Sequence, residues 1–228
     1  MNFTDEIRNY KVYSPLPQEM IKTSREYSAL AILKYSFPER FANLCKSEAP
    51  DLQDQEADLG IEITSGFSSR DEQITGESIK YSRAKTEKDR ETCRRKIVNC
   101  GGTRDEISTG YPVTTPDSDK ANVIAAFQKK LKKVDQYHKK FRHVGIAILI
   151  DIPMFFFSDS EWGKWLEEIN GGQFSFVALI HWSGIDIYDF STGTYSVKRI
   201  DREDMNTLKK IGRMAAEGII TDDSPVWQ

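Results

Sequence analysis

The stretch Ala49-Pro50-Asp51-Leu52-Gln53-Asp54-Gln55-Glu56-Ala57-Asp58-Leu59-Gly60-Ile61-Glu62-Ile63-Thr64 decides how the rest of the chain is read. Residues 49–52 form a short extended piece, followed by the polar run 53–58. Residues 59–64 read as a strand, with Ile61 and Ile63 pointing to one side and Glu62 and Thr64 to the other. A tight turn between the two pieces makes a hairpin that brings Asp51 and Glu62 to the same edge of a sheet. Two carboxylates on a rigid scaffold, beside a backbone carbonyl, are hard oxygen ligands that suit Mg²⁺ or Mn²⁺. A solvent-facing strand residue is the plainer explanation of Glu62 when it is taken alone.

Upstream, residues 1–17 carry no strong period. From Gln18 to Cys45 apolar residues (Met20, Tyr27, Leu30, Leu33) recur at helical steps, and Pro38 breaks or kinks the segment. Downstream, residues 70–98 are polar and rich in helix formers, which predicts one or two helices. Residues 100–118 read as a loop, with a short strand at 111–114. Asp119 caps a helix expected to run to Phe141. The apolar, β-branched run 144–152 has almost no alternation, as in a strand covered on both faces. A short helix at 160–170 would bury Trp162, Trp165 and Leu166. Strands are expected at 174–182, 185–190 and 194–200, then a closing helix from Asp204 to Glu217 with Gly218 as its C-cap. This order predicts an α/β fold with a mixed, partly parallel sheet flanked by helices.

The 228 residues suit one domain, 1–228, with a core at roughly 18–69 and 119–200 and an insertion at 70–118. A hydrophobic content of 39% is enough to build a core without disulfides. No apolar run approaches the roughly 20 residues of a membrane-spanning helix, and the N-terminal residues do not form a secretory signal. Three cysteines without paired spacing and three histidines argue against a zinc site and for free thiols in a reducing, cytoplasmic setting.

The net charge of −3 hides a segregation. Lys80, Arg83, Lys85, Arg94 and Arg95 belong to one basic segment, and Lys129, Lys130, Lys132, Lys133, Lys139, Lys140 and Arg142 to another. Acidic residues gather between Glu48 and Asp58. Two basic segments on an acidic chain can form a phosphate-facing surface; on charge alone, solvated helix faces are the plainer reading.

Pro50-Asp51 followed by Gly60-Ile61-Glu62-Ile63-Thr64 resembles the signature of the PD-(D/E)XK, or restriction-endonuclease-like, nucleases. The resemblance spans about residues 18–152 and implies a restriction-endonuclease-like core with a helical insertion and added C-terminal strands. It implies a metal-dependent nuclease acting on DNA, with Mg²⁺ or Mn²⁺ held by Asp51, Glu62 and the carbonyl of Ile63. Glu26, on the first core helix, is the counterpart of a further acidic residue. The family's motif lysine is replaced here by Thr64, and members with an altered motif bring a lysine from the following helix. On that helix Val123, Phe127, Leu131, Val134, His138 and Phe141 form an apolar stripe with Lys130 at its edge. Lys130 is therefore the first candidate for the migrated lysine, ahead of Lys80; a flank lysine that snorkels to solvent is an equal reading of the same position. DNA is the implied partner, through Lys80, Arg83, Lys85, Arg94 and Arg95, and a homodimer is compatible with the class. Without its lysine the chain would instead be a degenerate member acting as a nucleic-acid-binding or protein-interaction module.

Other residues carry weaker chemistry. His138 and His143 suit capping or packing, and His181 suits a core or rim position. Cys93 and Cys100 lack a spaced partner, and Gly101-Gly102 lacks the residues of a phosphate loop.

Overall fold

The computed structural model describes residues 4–12, 16–109, 116–150, 166, 168, 169 and 173–227. The strand expected at 111–114, the end of the run 144–152, and Trp162 and Trp165 lie outside the described residues. The chain divides into two compact units, one made of 1–65 with 126–228 and the other of 66–125.

The first unit is built on a seven-stranded mixed sheet flanked by helices. Its strands are β1 (Cys45–Lys46), β2 (Leu52–Asp54), β3 (Leu59–Ser65), β4 (His143–Leu149), β5 (Phe176–His181), β6 (Gly184–Asp189) and β7 (Thr194–Arg199), in that spatial order. β3, β4 and β5 are parallel, and every other neighbour is antiparallel. β4 lies between two parallel partners and is buried from Val144 to Ile148, which is why its sequence lacks alternation.

Among the described residues the α-helices with defined bounds are α1 (Asp5–Asn9), α2 (Gln18–Ser36), α3 (Pro38–Phe41), α4 (Ser69–Arg83), α5 (Glu87–Asn99), α6 (Arg104–Thr109), α7 (Pro116–Leu131), α8 (Val134–His138) and α9 (Arg202–Ala216). In the first unit α2 and α9 pack together over one face of the sheet. Ala29, Leu30 and Leu33 meet Leu208, Ile211 and Met214, above Ile61, Ile63, Ala147 and Ala178. The two helices approach so closely that a Cβ on Gly212 would lie 2.0 Å from Ser28 Oγ. Phe127 packs on Phe174 and Phe190, and with Val134, Ile146, Ile148 and Val177 it is buried apart from that cluster.

Several local expectations change. The helix expected from Asp119 to Phe141 begins at Pro116 and is interrupted at Lys132-Lys133, so α8 resumes out of phase. Tyr137 is consequently buried, and His138 is exposed. The opening segment holds α1, which buries only Ile7 and was too short to show a period. α2 stops at Ser36, before Pro38, and Cys45 lies in β1 rather than in a helix. The closing helix starts at Arg202 behind the cap Asp201, and Gly218 follows it at φ +74°.

In the second unit, α4 and α5 are capped by Ser68 and Thr86, which accept from the amides of Asp71 and Asp89. A third helix, α6, lies inside the segment read as loop. Its entry is a reciprocal cap in which Glu106 accepts the Thr103 amide and Thr103 Oγ1 accepts that of Glu106. Arg70 ties Asp71 to the buried Glu106 at 3.1 Å from each.

Candidate functional site

The hairpin pairs Leu52 with Ile61 and Gln53 with Gly60. Extending that register by one residue sets Asp51 beside Glu62. The approach depends on Gly60, where a Cβ would fall 2.4 Å from Pro50 Cγ and 3.0 Å from the Phe141 ring. Three further bonds hold the loop before β2: Ser47 donates its amide to the Asp51 carbonyl, Gln53 Nε2 donates to that of Pro50, and Lys140 Nζ to that of Ala49.

Asp51, Glu62 and Glu26 are 6%, 5% and 4% exposed. Carboxylates so deep in a protein need partners, and each has a lysine. Lys130, on the last turn of α7, forms a short ion pair with Glu62 Oε1. Lys22 lies 3.1 Å from Glu26 and 3.6 Å from Asp51, joining the two, and Lys46 reaches the other oxygen of Glu26 at 3.2 Å. Pairing with Glu26 is the main reason the Lys22 ammonium is raised above its ordinary value.

Ile63 donates its amide to Asp51 Oδ2 at 2.8 Å. Tyr137 completes the group. Burial pushes its phenol well above the ordinary value, and its hydrogen bond to Glu62 and the charges of Glu62 and Asp51 push the same way. It therefore stays a donor to Glu62 throughout the neutral range.

Asp51, Glu62, Glu26 and Lys130 thus come together in the first unit, around the β2–β3 edge. Lys22, Lys46 and Tyr137 join them without having been singled out from the sequence. Lys22 is legible as an i,i+4 partner of Glu26. Tyr137 was hidden by the interrupted helix, and Lys46 has no local signal because β1 brings it in. Thr64 lies on β3, two residues beyond Glu62, and is partly exposed. Among the described residues no group of three or more His, Cys, Asp or Glu is gathered as a metal site.

The basic candidates of the second unit fall into two kinds. Lys80 is paired with Glu77 at 2.6 Å, and Arg94 with Glu91 and the Tyr81 hydroxyl. Arg83, Lys85 and Arg95 are exposed. His181 is buried, with Nδ1 facing Ser183 Oγ at 3.1 Å and Nε2 3.6 Å from Asp186. His138 contacts the Gln173 carbonyl. Cys93 is buried in the second unit, where burial pushes its thiol up.

No family model, no curated protein and no solved structure matches this chain. No helix among the described residues is long and apolar enough to cross a membrane.

Proposed function

We propose that the first unit is a restriction-endonuclease-like core and that the chain is a metal-dependent nuclease hydrolysing DNA phosphodiester bonds. The observation that carries this reading is the Lys130 amine against Glu62, beside Asp51. It gives the acidic pair a lysine from α7 where Thr64 offers none.

The donor set fits a divalent cation. Asp51 and Glu62 are hard oxygen ligands on a rigid hairpin, and two carboxylates suffice for an ion that keeps several waters. The cation now between Asp51 and Glu26 belongs to Lys22, whose side chain is 78% exposed and free to swing away. Asp51 and Glu62 would hold the ion, with the Ile63 carbonyl as the family resemblance implies. Bound there, Mg²⁺ or Mn²⁺ supplies an activated water and offsets charge on the phosphate.

The protein's own groups divide the remaining work. The Ile63 amide fixes the orientation of Asp51, and the Tyr137 hydroxyl that of Glu62. Lys130 offers an ammonium to a phosphate oxygen or to the attacking water, in a setting poor in competing solvent. Glu26 positions Lys22 and Lys46.

A second reading is favoured by one observation. Every carboxylate of the group already has a lysine partner, so the cluster is neutralised by the chain itself, as in a degenerate, non-cleaving interaction module. Incubating plasmid and single-stranded DNA with Mg²⁺ or Mn²⁺, beside Glu62→Ala, separates the two. Metal-dependent cleavage lost in Glu62→Ala supports the nuclease. No cleavage together with no calorimetric Mn²⁺ binding supports the module.

A further inference from the structure

Arg202, Lys209 and Arg213 stand along one side of α9, seven and four residues apart. With Lys210, and Arg8 of α1, they line an open groove of about 650 Å³. Among the described residues a single carboxylate, Glu203, shares the lining. Arg213 is engaged by Glu217 at 2.8 Å, and Lys210 Nζ donates to the Arg8 carbonyl at 2.5 Å. Among the described residues, the side chains of Arg8, Arg202 and Lys209 have no ion-pair partner, and all three residues are exposed.

This gathering of charge works against the fold. Like charges repel, and Arg202 occupies the first turn of a 15-residue helix, at the positive end of its dipole. An anion in the groove would reverse both penalties. We propose that the groove binds the phosphate backbone of a nucleic acid without regard to base sequence. Arg202 to Arg213 covers about 16 Å of helix, a length that suits several successive phosphates rather than one small anion. Among the described residues no aromatic side chain lines the groove to stack on a base, so their contact falls on phosphates. Among the described residues Val12 is its one apolar side chain, too little to anchor a bilayer.

The groove lies on the outer side of α9, whose inner side packs on α2. Neither Glu62 nor Lys130 lines it, so the proposal stands whether or not the Glu62 site cleaves.

The test uses the Glu62→Ala protein without metal, so that cleavage plays no part. Binding of a fluorescent single-stranded oligonucleotide is followed by anisotropy from low to moderate salt, with and without Arg202→Gln and Lys209→Gln together. The double substitution is expected to weaken binding roughly ten-fold and to reduce the slope of log K against log salt by about 1.4, the share of two phosphate contacts. Should the double variant lose its circular dichroism spectrum, Lys209→Gln alone is expected to take about half of that slope. Unchanged affinity and slope in a folded variant overturn the proposal. So does retention on phosphatidylserine vesicles, abolished by the same substitutions, without oligonucleotide binding.

Discussion

Asp51 Oδ2 and the Ile63 amide are joined by a buried hydrogen bond of 2.8 Å. An aspartate outside the regular hairpin is thereby fastened to the strand that carries Glu62. One side chain thus has a structural duty and a proposed chemical one, and substitutions can separate them.

Asp51→Ala removes the acceptor and strands a buried amide, a loss of about 1–3 kcal/mol. Asp51→Asn keeps an acceptor and is expected to unfold within about 1 kcal/mol of the parent in urea. Cleavage should be lost in both, because the amide lacks the charge a divalent ion needs. An Asn variant that cuts at the parental rate removes Asp51 from the proposed ligand set.

Lys130→Ala leaves Glu62 buried without its cation, and the expected cost is about 3–5 kcal/mol. Lys130→Met with Glu62→Gln removes both charges and is expected to be less destabilised than Lys130→Ala, a comparison chemical denaturation makes directly. In the nuclease assay Lys130→Ala should slow cleavage by about 10²-fold with Mn²⁺ affinity retained. Normal cleavage would remove Lys130 from the chemistry and leave the metal site standing.

Gly60→Ala places a Cβ 2.4 Å from Pro50 Cγ. Pro50 or β3 must then shift, at a cost of about 1–3 kcal/mol. The shift moves Asp51 relative to Glu62, so metal affinity should fall along with melting temperature.

Two tyrosines set an alkaline limit. Tyr27, mainly by burial and then by its bond to Asp222, and Tyr35, mainly by its bond to Asp204, are both pushed up to about 12 from an ordinary 10.0. The unfolded chain releases these protons near pH 10, whereas the folded chain retains them to near 12. Their contribution is therefore full below pH 10 and lost as pH rises through 12. Tyr35→Phe should flatten the fall in stability across that window, as read by denaturation at successive pH values.

In the second unit Lys80 and Arg94 already have acidic partners, and Arg83, Lys85 and Arg95 are exposed. If this unit grips DNA, Arg83→Ala with Lys85→Ala and Arg95→Ala should lower the duplex salt slope by up to about 2.7, at about 0.9 per contact. Lys80→Ala should change it little.

The sheet was legible where burial leaves a pattern. The unalternating run 144–152 announced β4, which spans His143–Leu149, and 59–64 announced β3 with Glu62 among its isoleucines. Asp51 and Glu62 could be paired because hairpin register is a local property, whereas Glu26 and Lys130 were named through the family resemblance, with helical phase only choosing Lys130 among its neighbours. Lys46 could not be named, since a two-residue strand brings it to Glu26 through pairing alone. Tyr137 was missed for a different reason: the break at Lys132-Lys133 resets the helical phase, and a stripe drawn without it favours His138. α6 was missed although Thr103 and Glu106 spell a capping box, because the Gly101-Gly102 pair before it and the short length of the helix made the stretch read as loop.

The parallel pairing of β3 with β4 also has a consequence for how the chain is made. Residues 66–142, which include the whole second unit, are synthesised between the two strands. The β2–β3 hairpin therefore leaves the ribosome with one edge bare, and the Ile-rich strand 59–65 waits for 143–149 to emerge. A bare edge of that kind is a template for pairing with the wrong chain. Early folding of 66–125 as its own compact body would shorten the flexible chain between the strands and ease the closure that covers the edge.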